Sequence, residues 1–93
     1  MLTMRDEATY GRVRLRVLLF SLLRERMGCD AVTVTLDAPA TGADLLDRLT
    51  RDHPELRPFR PVVRLAVNRE YVPETTPLAE GDEVALITPV SGG

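Results

Sequence analysis

Hydrophobic and polar residues alternate strictly at two places in the N-terminal half of the chain. In 12–17, valine or leucine occupies every second position and arginine the positions between, and 32–36 alternates in the same way with threonine. A period of two is typical of strands with one buried face. We therefore expect a first strand from Arg12 to Leu19 or Phe20 and a second strand, over 32–36, that pairs back on it.

The segment 21–28 has helical spacing instead. Leu23 and Met27 lie four residues apart, so they would share one face of a helix, and Gly28 follows them. A glycine at this place commonly ends a helix, because it adopts the left-handed backbone conformation without a steric penalty. We expect a short helix over 21–28.

The main helix is predicted over 41–53. Three leucines, at 45, 46 and 49, fall on a single stripe of this segment. Thr41 is suited to cap the first turn, and Asp44 places an acid in that turn. Pro54 closes the helix, and 54–61 is expected to be a proline-studded loop.

The C-terminal half returns to alternation. Strands are expected over 63–68 and 83–88, and a turn at 68–69 leads into a very short strand that ends at Val72. The segment 76–82 is expected to be a turn that delivers the final strand. The residues of that strand expected to face the core are Val84, Leu86 and Thr88.

The order of these elements predicts an α+β fold. One three-turn helix packed across a mixed sheet forms a roll, and the helical connection requires parallel first and last strands if they meet in the centre. This arrangement is the β-grasp, or ubiquitin-like, roll. We expect the domain over 12–88, a disordered leader over 1–11 to which no function is attached, and a flexible tail over 89–93.

Composition and charge exclude several classes of protein. The chain has 93 residues, which leave room for one domain. Its longest apolar stretch, 17–23 interrupted by Ser21, is much shorter than the roughly 20 residues of a membrane span. Its net charge of −2 is unsuited to a surface that tracks phosphates. One cysteine and one histidine leave no structural zinc site. We expect a cytoplasmic protein with no bound cofactor, no nucleic-acid partner and no membrane partner.

Seven motifs between residues 13 and 93 form a recognisable combination: Leu18-Leu19-Phe20, Leu23-Arg24-Glu25 with Gly28, the 41–53 helix, Ala66-Val67-Asn68, Pro77-Leu78, Gly81-Asp82-Glu83-Val84 and Pro89-Val90-Ser91-Gly92-Gly93. A terminal Gly-Gly alone is a weak signal, but here it accompanies motifs along the whole domain. Together they resemble the motifs of the small subunit of molybdopterin synthase. The helix that contains Leu23-Arg24-Glu25, directly after the first strand, favours this branch over the thiamin-pathway carrier.

The resemblance implies a sulfur carrier that is not an enzyme on its own. A ubiquitin-activating-type adenylyltransferase, using ATP with magnesium, would adenylate Gly93, and a persulfide donor would supply the sulfur of a thiocarboxylate. The large subunit of molybdopterin synthase would then receive that sulfur for cyclic pyranopterin monophosphate. The residues that would thread into the partners' active sites are Pro89, Val90, Ser91 and Gly92.

The folded body is expected to supply most of the binding affinity. The tail alone would bind weakly, because ordering each residue costs roughly 1–2 kcal/mol. Apolar side chains that point outward from the last strand, Ala85 and Ile87, together with Phe20, are the predicted partner interface. The competing interpretation places Phe20 in the core and leaves Ile87 as an isolated exposed residue.

Other functions with the same fold stay open at this stage. A ubiquitin-like sulfur carrier for tRNA thiolation, cysteine synthesis or thiamin synthesis would differ only in its acceptor. A protein modifier would form isopeptide bonds with lysines of its targets. A binding module that only shares the roll is disfavoured by the Gly-Gly terminus.

Overall fold

The alternating residues of the N-terminal half form an antiparallel hairpin around a short helix. In the computed structural model, which describes residues 11–89, β1 spans Arg12–Leu19, α1 spans Ser21–Met27 and β2 spans Ala31–Asp37. Gly28 ends α1 with a φ of 73° and donates its N–H to the carbonyl of Arg24. Because the glycine has no Cβ, this left-handed ending carries no steric penalty.

The main helix begins at a capping box. A two-residue strand, β3 (Ala40–Thr41), leads into α2, which spans Gly42–Asp52. The Thr41 side chain accepts the N–H of Asp44, and the Asp44 carboxylate accepts the N–H of Thr41 at 2.9 Å. The two bonds satisfy backbone donors that a helix start leaves without partners, as the sequence predicts.

The C-terminal half completes the sheet. Its elements are a 3-10 helix (Pro54–Phe59), β4 (Arg64–Val67), β5 (Glu70–Val72), β6 (Pro77–Leu78) and β7 (Glu83–Ile87). The strand order of the main sheet is β2-β1-β7-β4-β5, and β3 pairs with β6 in a second, two-stranded sheet. β1 and β7 are parallel neighbours in the centre, whereas β4 is antiparallel to β7. The predicted mixed sheet with parallel first and last strands is confirmed.

The core lies between one face of the main sheet and α2. Leu15, Val17 and Val84 point inward from the two central strands and are completely buried, as is Leu45 of the helix. The opposite, outer face of the sheet is covered by no element in the described part of the chain. One face of a half-buried sheet is therefore available for binding.

Three local predictions differ from the structure. Residues 54–59 form a 3-10 helix instead of a loop, since Pro54 and Pro58 are compatible with its tight turns. The turn segment 76–82 contains β6, whose pairing with β3 depends on a distant residue pair, Ala40 and Leu78. The last strand ends at Ile87, and Thr88 is only half-buried beyond it.

The predicted tail and leader fall largely outside the described residues. This applies to residues 1–10 and to Val90, Ser91, Gly92 and Gly93. Gly11, by contrast, already contacts the hairpin, because its carbonyl accepts the N–H of Ala38 at 3.3 Å.

Candidate docking site at the root of the C-terminal segment

The last strand, β7, lies in the centre of the main sheet, and the C-terminal segment continues from its end. β7 has β1 on one side and β4 on the other, so its end at Ile87 is flanked by the end of β1 and the start of β4. The exposed Pro89 is the last residue that the structure describes. The C-terminal segment thus departs from a position held by strand pairing on both sides.

One row of small and apolar residues crosses the outer face of the sheet. Leu18 pairs with Ala85, which pairs on its other side with Ala66, and Ala66 pairs with Tyr71. Side chains of paired residues project to the same face, so the row is continuous across four strands. Ala66 is only 6% exposed although it lies on the open face, which shows how closely its neighbours approach.

Phe20 and Ile87 extend this row toward the end of β7. The row, Phe20 and Ile87 line a shallow depression in the outer face, together with Arg69 and Glu83. Phe20 is 44% exposed and Tyr71 is 68% exposed, so neither side chain belongs to the core. We call the set of six the apolar patch: Leu18, Phe20, Ala66, Tyr71, Ala85 and Ile87.

The start of β7 is tied to the hairpin that precedes it. Asn68 donates its backbone N–H to the Glu83 carbonyl at 2.8 Å, and its side-chain oxygen accepts the Glu83 N–H at 3.1 Å. The Asn68 amide also donates to Asp82, whose second oxygen accepts the N–H of Ala79 at 2.8 Å. These bonds fix the register of β4 and β7, on which the alignment of the patch depends.

The six side chains of the patch are aliphatic or aromatic, and among them Tyr71 alone carries a polar group. Among residues 11–89, no group of three or more histidine, cysteine, aspartate or glutamate side chains is placed to hold a metal ion. No helix in that part of the chain is long and apolar enough to cross a membrane. The pKa of Arg60 is raised by its hydrogen bond to Glu74, and this residue lies on the helix side and not in the patch.

The structure brings the three predicted interface residues together. Phe20, Ala85 and Ile87 lie on one face, around the end of β7. The interpretation that places Phe20 in the core is wrong, whereas docking through this surface stays a prediction. Sequence reasoning missed Leu18, Ala66 and Tyr71. Strand register brings these three beside the others. The signal in the sequence was Ala66, a small residue within an apolar strand, which is typical of a position that neighbouring side chains approach closely.

Comparison with known proteins identifies the family. Residues 17–93 match the model of the ThiS family, which is most of the chain. The chain belongs to the ThiS family. A relative of this ThiS-family chain, the molybdopterin synthase sulfur carrier subunit of Arabidopsis thaliana, is 37% identical over 81 residues, which cover 87% of this chain and 84% of the relative.

Solved structures agree with the fold. SAMP1 from Haloferax volcanii is 34% identical, with a TM-score of 0.74 over 86% of this chain and 99% of that one. A chain in the complex of subunits 1 and 2 of the molybdopterin-converting factor from Helicobacter pylori is 23% identical, with a TM-score of 0.61 over 87% and 100% of the two chains. The predicted β-grasp fold is confirmed, and the relatives confirm the predicted family and its role as a sulfur carrier subunit.

Proposed function

We propose that this ThiS-family chain carries sulfur on its C-terminal Gly93 as the non-catalytic small subunit of a molybdopterin synthase. The observation that carries the proposal is the position of β7, which starts the C-terminal segment beside an exposed apolar patch. A partner can bind the patch and receive the segment at the same time. The sulfur acceptor is cyclic pyranopterin monophosphate.

The chemistry requires activation of the terminal carboxylate. Such a group has a pKa of about 3.3–3.7 and is an anion at neutral pH, so its carbonyl carbon is a poor electrophile and the group a poor acyl donor. Its oxygen attacks the α-phosphate of ATP, pyrophosphate leaves, and a mixed anhydride with AMP forms. The outer sulfur of a donor persulfide then attacks the acyl carbon and displaces AMP, which forms an acyl disulfide. A thiol attacks the donor's sulfur in that disulfide and forms a new disulfide with it, and the terminal glycine keeps the transferred sulfur as a thiocarboxylate.

Length and conformation suit residues 89–93 to this use. Five extended residues span at most roughly 16–18 Å, which is enough to reach into a deep channel. Gly92 and Gly93 have no Cβ and fit different narrow sites, while Pro89 restricts the φ angle at the root. Ordering this segment would cost roughly 5–10 kcal/mol, and contacts of the apolar patch offset that cost.

Three partners complete the proposed cycle. A ubiquitin-activating-type adenylyltransferase supplies ATP and magnesium in its own site, a persulfide enzyme supplies sulfur, and the large subunit of the synthase receives the sulfur. The name of the Arabidopsis relative describes one subunit of a molybdopterin synthase, which supports a second subunit as partner. The cycle takes place in the cytoplasm.

Sulfur loading tests the proposal directly. The purified chain is incubated with the adenylyltransferase, ATP, magnesium and a persulfide donor, and its intact mass is measured. We expect replacement of one oxygen by sulfur. An Ile87→Arg variant should load more slowly and bind the large subunit more weakly, because a charge would enter the apolar patch.

A variant with one alanine added after Gly93 is the control for the site of loading. The addition moves the carboxylate one residue further from the body and should abolish loading, while leaving the fold and the patch unchanged. Sulfur loading at the wild-type rate in this variant would contradict the proposal. So would an Ile87→Arg variant that binds and loads as the wild type does.

A second function is supported by one of the solved structures. SAMP1 is described as a small archaeal modifier protein, and it is 34% identical to this chain. A modifier would pass its adenylated glycine to lysines of other proteins. The same incubation in a cell extract distinguishes the two functions, since a modifier gives conjugates of higher mass and a carrier gives only the thiocarboxylate.

A further inference from the structure

Three arginines surround the apolar patch. Arg16 precedes Leu18 by two residues on the same face of β1, and Arg64 pairs with Ile87 across β4 and β7. Arg69 lines the same depression as Phe20 and Tyr71, at the turn between β4 and β5. All three side chains are exposed. We call these three residues the arginine rim.

The arginine rim differs in its ion pairs from five other arginines of the described residues, while Arg12, Arg26 and Arg57 share its lack of a close carboxylate. Arg48 and Arg60 form close pairs with carboxylates, at 2.9 and 2.8 Å, and three more arginines lie within 4.0 Å of one. Within residues 11–89, no carboxylate lies that close to any member of the rim. A partner's carboxylate can therefore bind the rim without breaking an internal pair.

The local charge opposes that of the whole chain. The net charge is −2, yet the rim places three positive charges around the patch. One acid lines the depression, Glu83, which pairs in register with Arg16, and two more, Glu70 and Asp82, lie beside the turn that carries Arg69. All twelve basic residues of the chain are arginine. Arginine binds a carboxylate with two parallel hydrogen bonds and is enriched at protein interfaces.

We propose that the arginine rim recognises a ring of carboxylates on the large subunit, around the apolar centre that covers the patch. This inference rests on the proposed function and adds the chemistry of the partner surface. The patch provides buried area, while the rim attracts the partner and fixes its orientation. Exposed charges at the edge of an interface act mainly on the association rate and its salt dependence.

The test is a triple charge reversal, with Arg16→Glu, Arg64→Glu and Arg69→Glu combined. Binding to the synthase large subunit is measured by stopped-flow or surface plasmon resonance between low and high salt. We expect the association rate constant to fall by about 10–100-fold at low salt and to lose most of its salt dependence.

The matched control reverses three arginines away from the patch: Arg12, Arg51 and Arg57. Arg12 lies six residues before Leu18, roughly 20 Å along the strand, and the other two lie on the helix side. The control has the same net charge as the rim variant. We expect its association rate constant to stay within about 3-fold of the wild type. Circular dichroism and thermal melts verify that both variants fold.

The outcomes separate this inference from the proposed function. If Ile87→Arg weakens binding and the rim reversal does not, the patch docks the partner and the inference is wrong. Equal losses in the rim variant and the control also overturn it, because net charge alone would then explain the effect. If the wild-type chain does not bind the large subunit, both the inference and the proposed function fail.

Discussion

A single glycine decides how closely the main helix approaches the sheet. Gly42 is buried at the first position of α2, where a Cβ would overlap the Leu65 side chain and lie 3.1 Å from the Glu74 carbonyl oxygen. Its N–H donates to the Thr76 carbonyl at 3.1 Å, and the next N–H, that of Ala43, donates to Glu74 at 2.9 Å. The helix start is thus held against the segment before β6.

We expect Gly42→Ala to lower the free energy of unfolding by about 1–3 kcal/mol, because the methyl group forces the helix away from Leu65. Gly11→Ala is the control, since no atom lies within 4 Å of a Cβ at that position. Urea denaturation of both variants measures the difference. Equal stability of the Gly42 variant and the wild type would show that the helix start shifts without cost.

At the scale of elements, the predictions from sequence are correct where an element depends on residues close together in the chain, and they fail where it depends on distant ones. The capped start of α2, the glycine end of α1 and the strand alternation depend on residues close in sequence, and all are confirmed. The 3-10 helix and the β3–β6 pair were missed. Their bonds depend on packing, and neither has a periodic pattern long enough to detect.

The capping box makes a prediction for α2. Thr41→Ala removes the acceptor of the Asp44 N–H and should lower the free energy of unfolding by about 1 kcal/mol. Thr50→Ala is the control within the same helix. The Thr50 hydroxyl donates back to the Leu46 carbonyl, and alanine has the higher helix propensity, so stability should stay equal or rise. A loss of the same size in both variants would remove the cap as the cause.

At the scale of the whole molecule, one arginine joins three segments. Arg60 donates to both carboxylate oxygens of Glu74, at 2.8 and 3.0 Å, and to Asp47 of α2 at 3.2 Å. The hydrogen bond to Glu74 is the main cause of a raised pKa of Arg60, which burial partly opposes. These bonds hold the segment after the 3-10 helix against α2 and against the loop before β6.

Arg60→Gln should lower the free energy of unfolding by about 1 kcal/mol, with Arg57→Gln as the control. Because the pKa of Arg60 is raised on folding, the stability that its charged form provides is complete below the unfolded-state pKa. That stability disappears only when the pH rises through the folded-state pKa. The destabilisation caused by Arg60→Gln should therefore be constant between about pH 7 and about pH 10. Thermal melts of the variant and the wild type across this pH range measure the difference in stability. A difference that disappears within the range would contradict the ion pairs of Arg60 with Glu74 and Asp47.

The sequence by itself determined the two α-helices, the main strands and the roll, because alternation, caps and turn residues act between near neighbours along the chain. Its motifs, ending in Gly92-Gly93, also pointed to the family. It also identified Phe20, Ala85 and Ile87 as outward residues. Only the tertiary structure decided that Leu18, Ala66 and Tyr71 lie beside them and that an arginine rim surrounds the six. The physical reason is register: residues distant in sequence become neighbours through pairing of β1, β7, β4 and β5, and no local pattern specifies which residues meet.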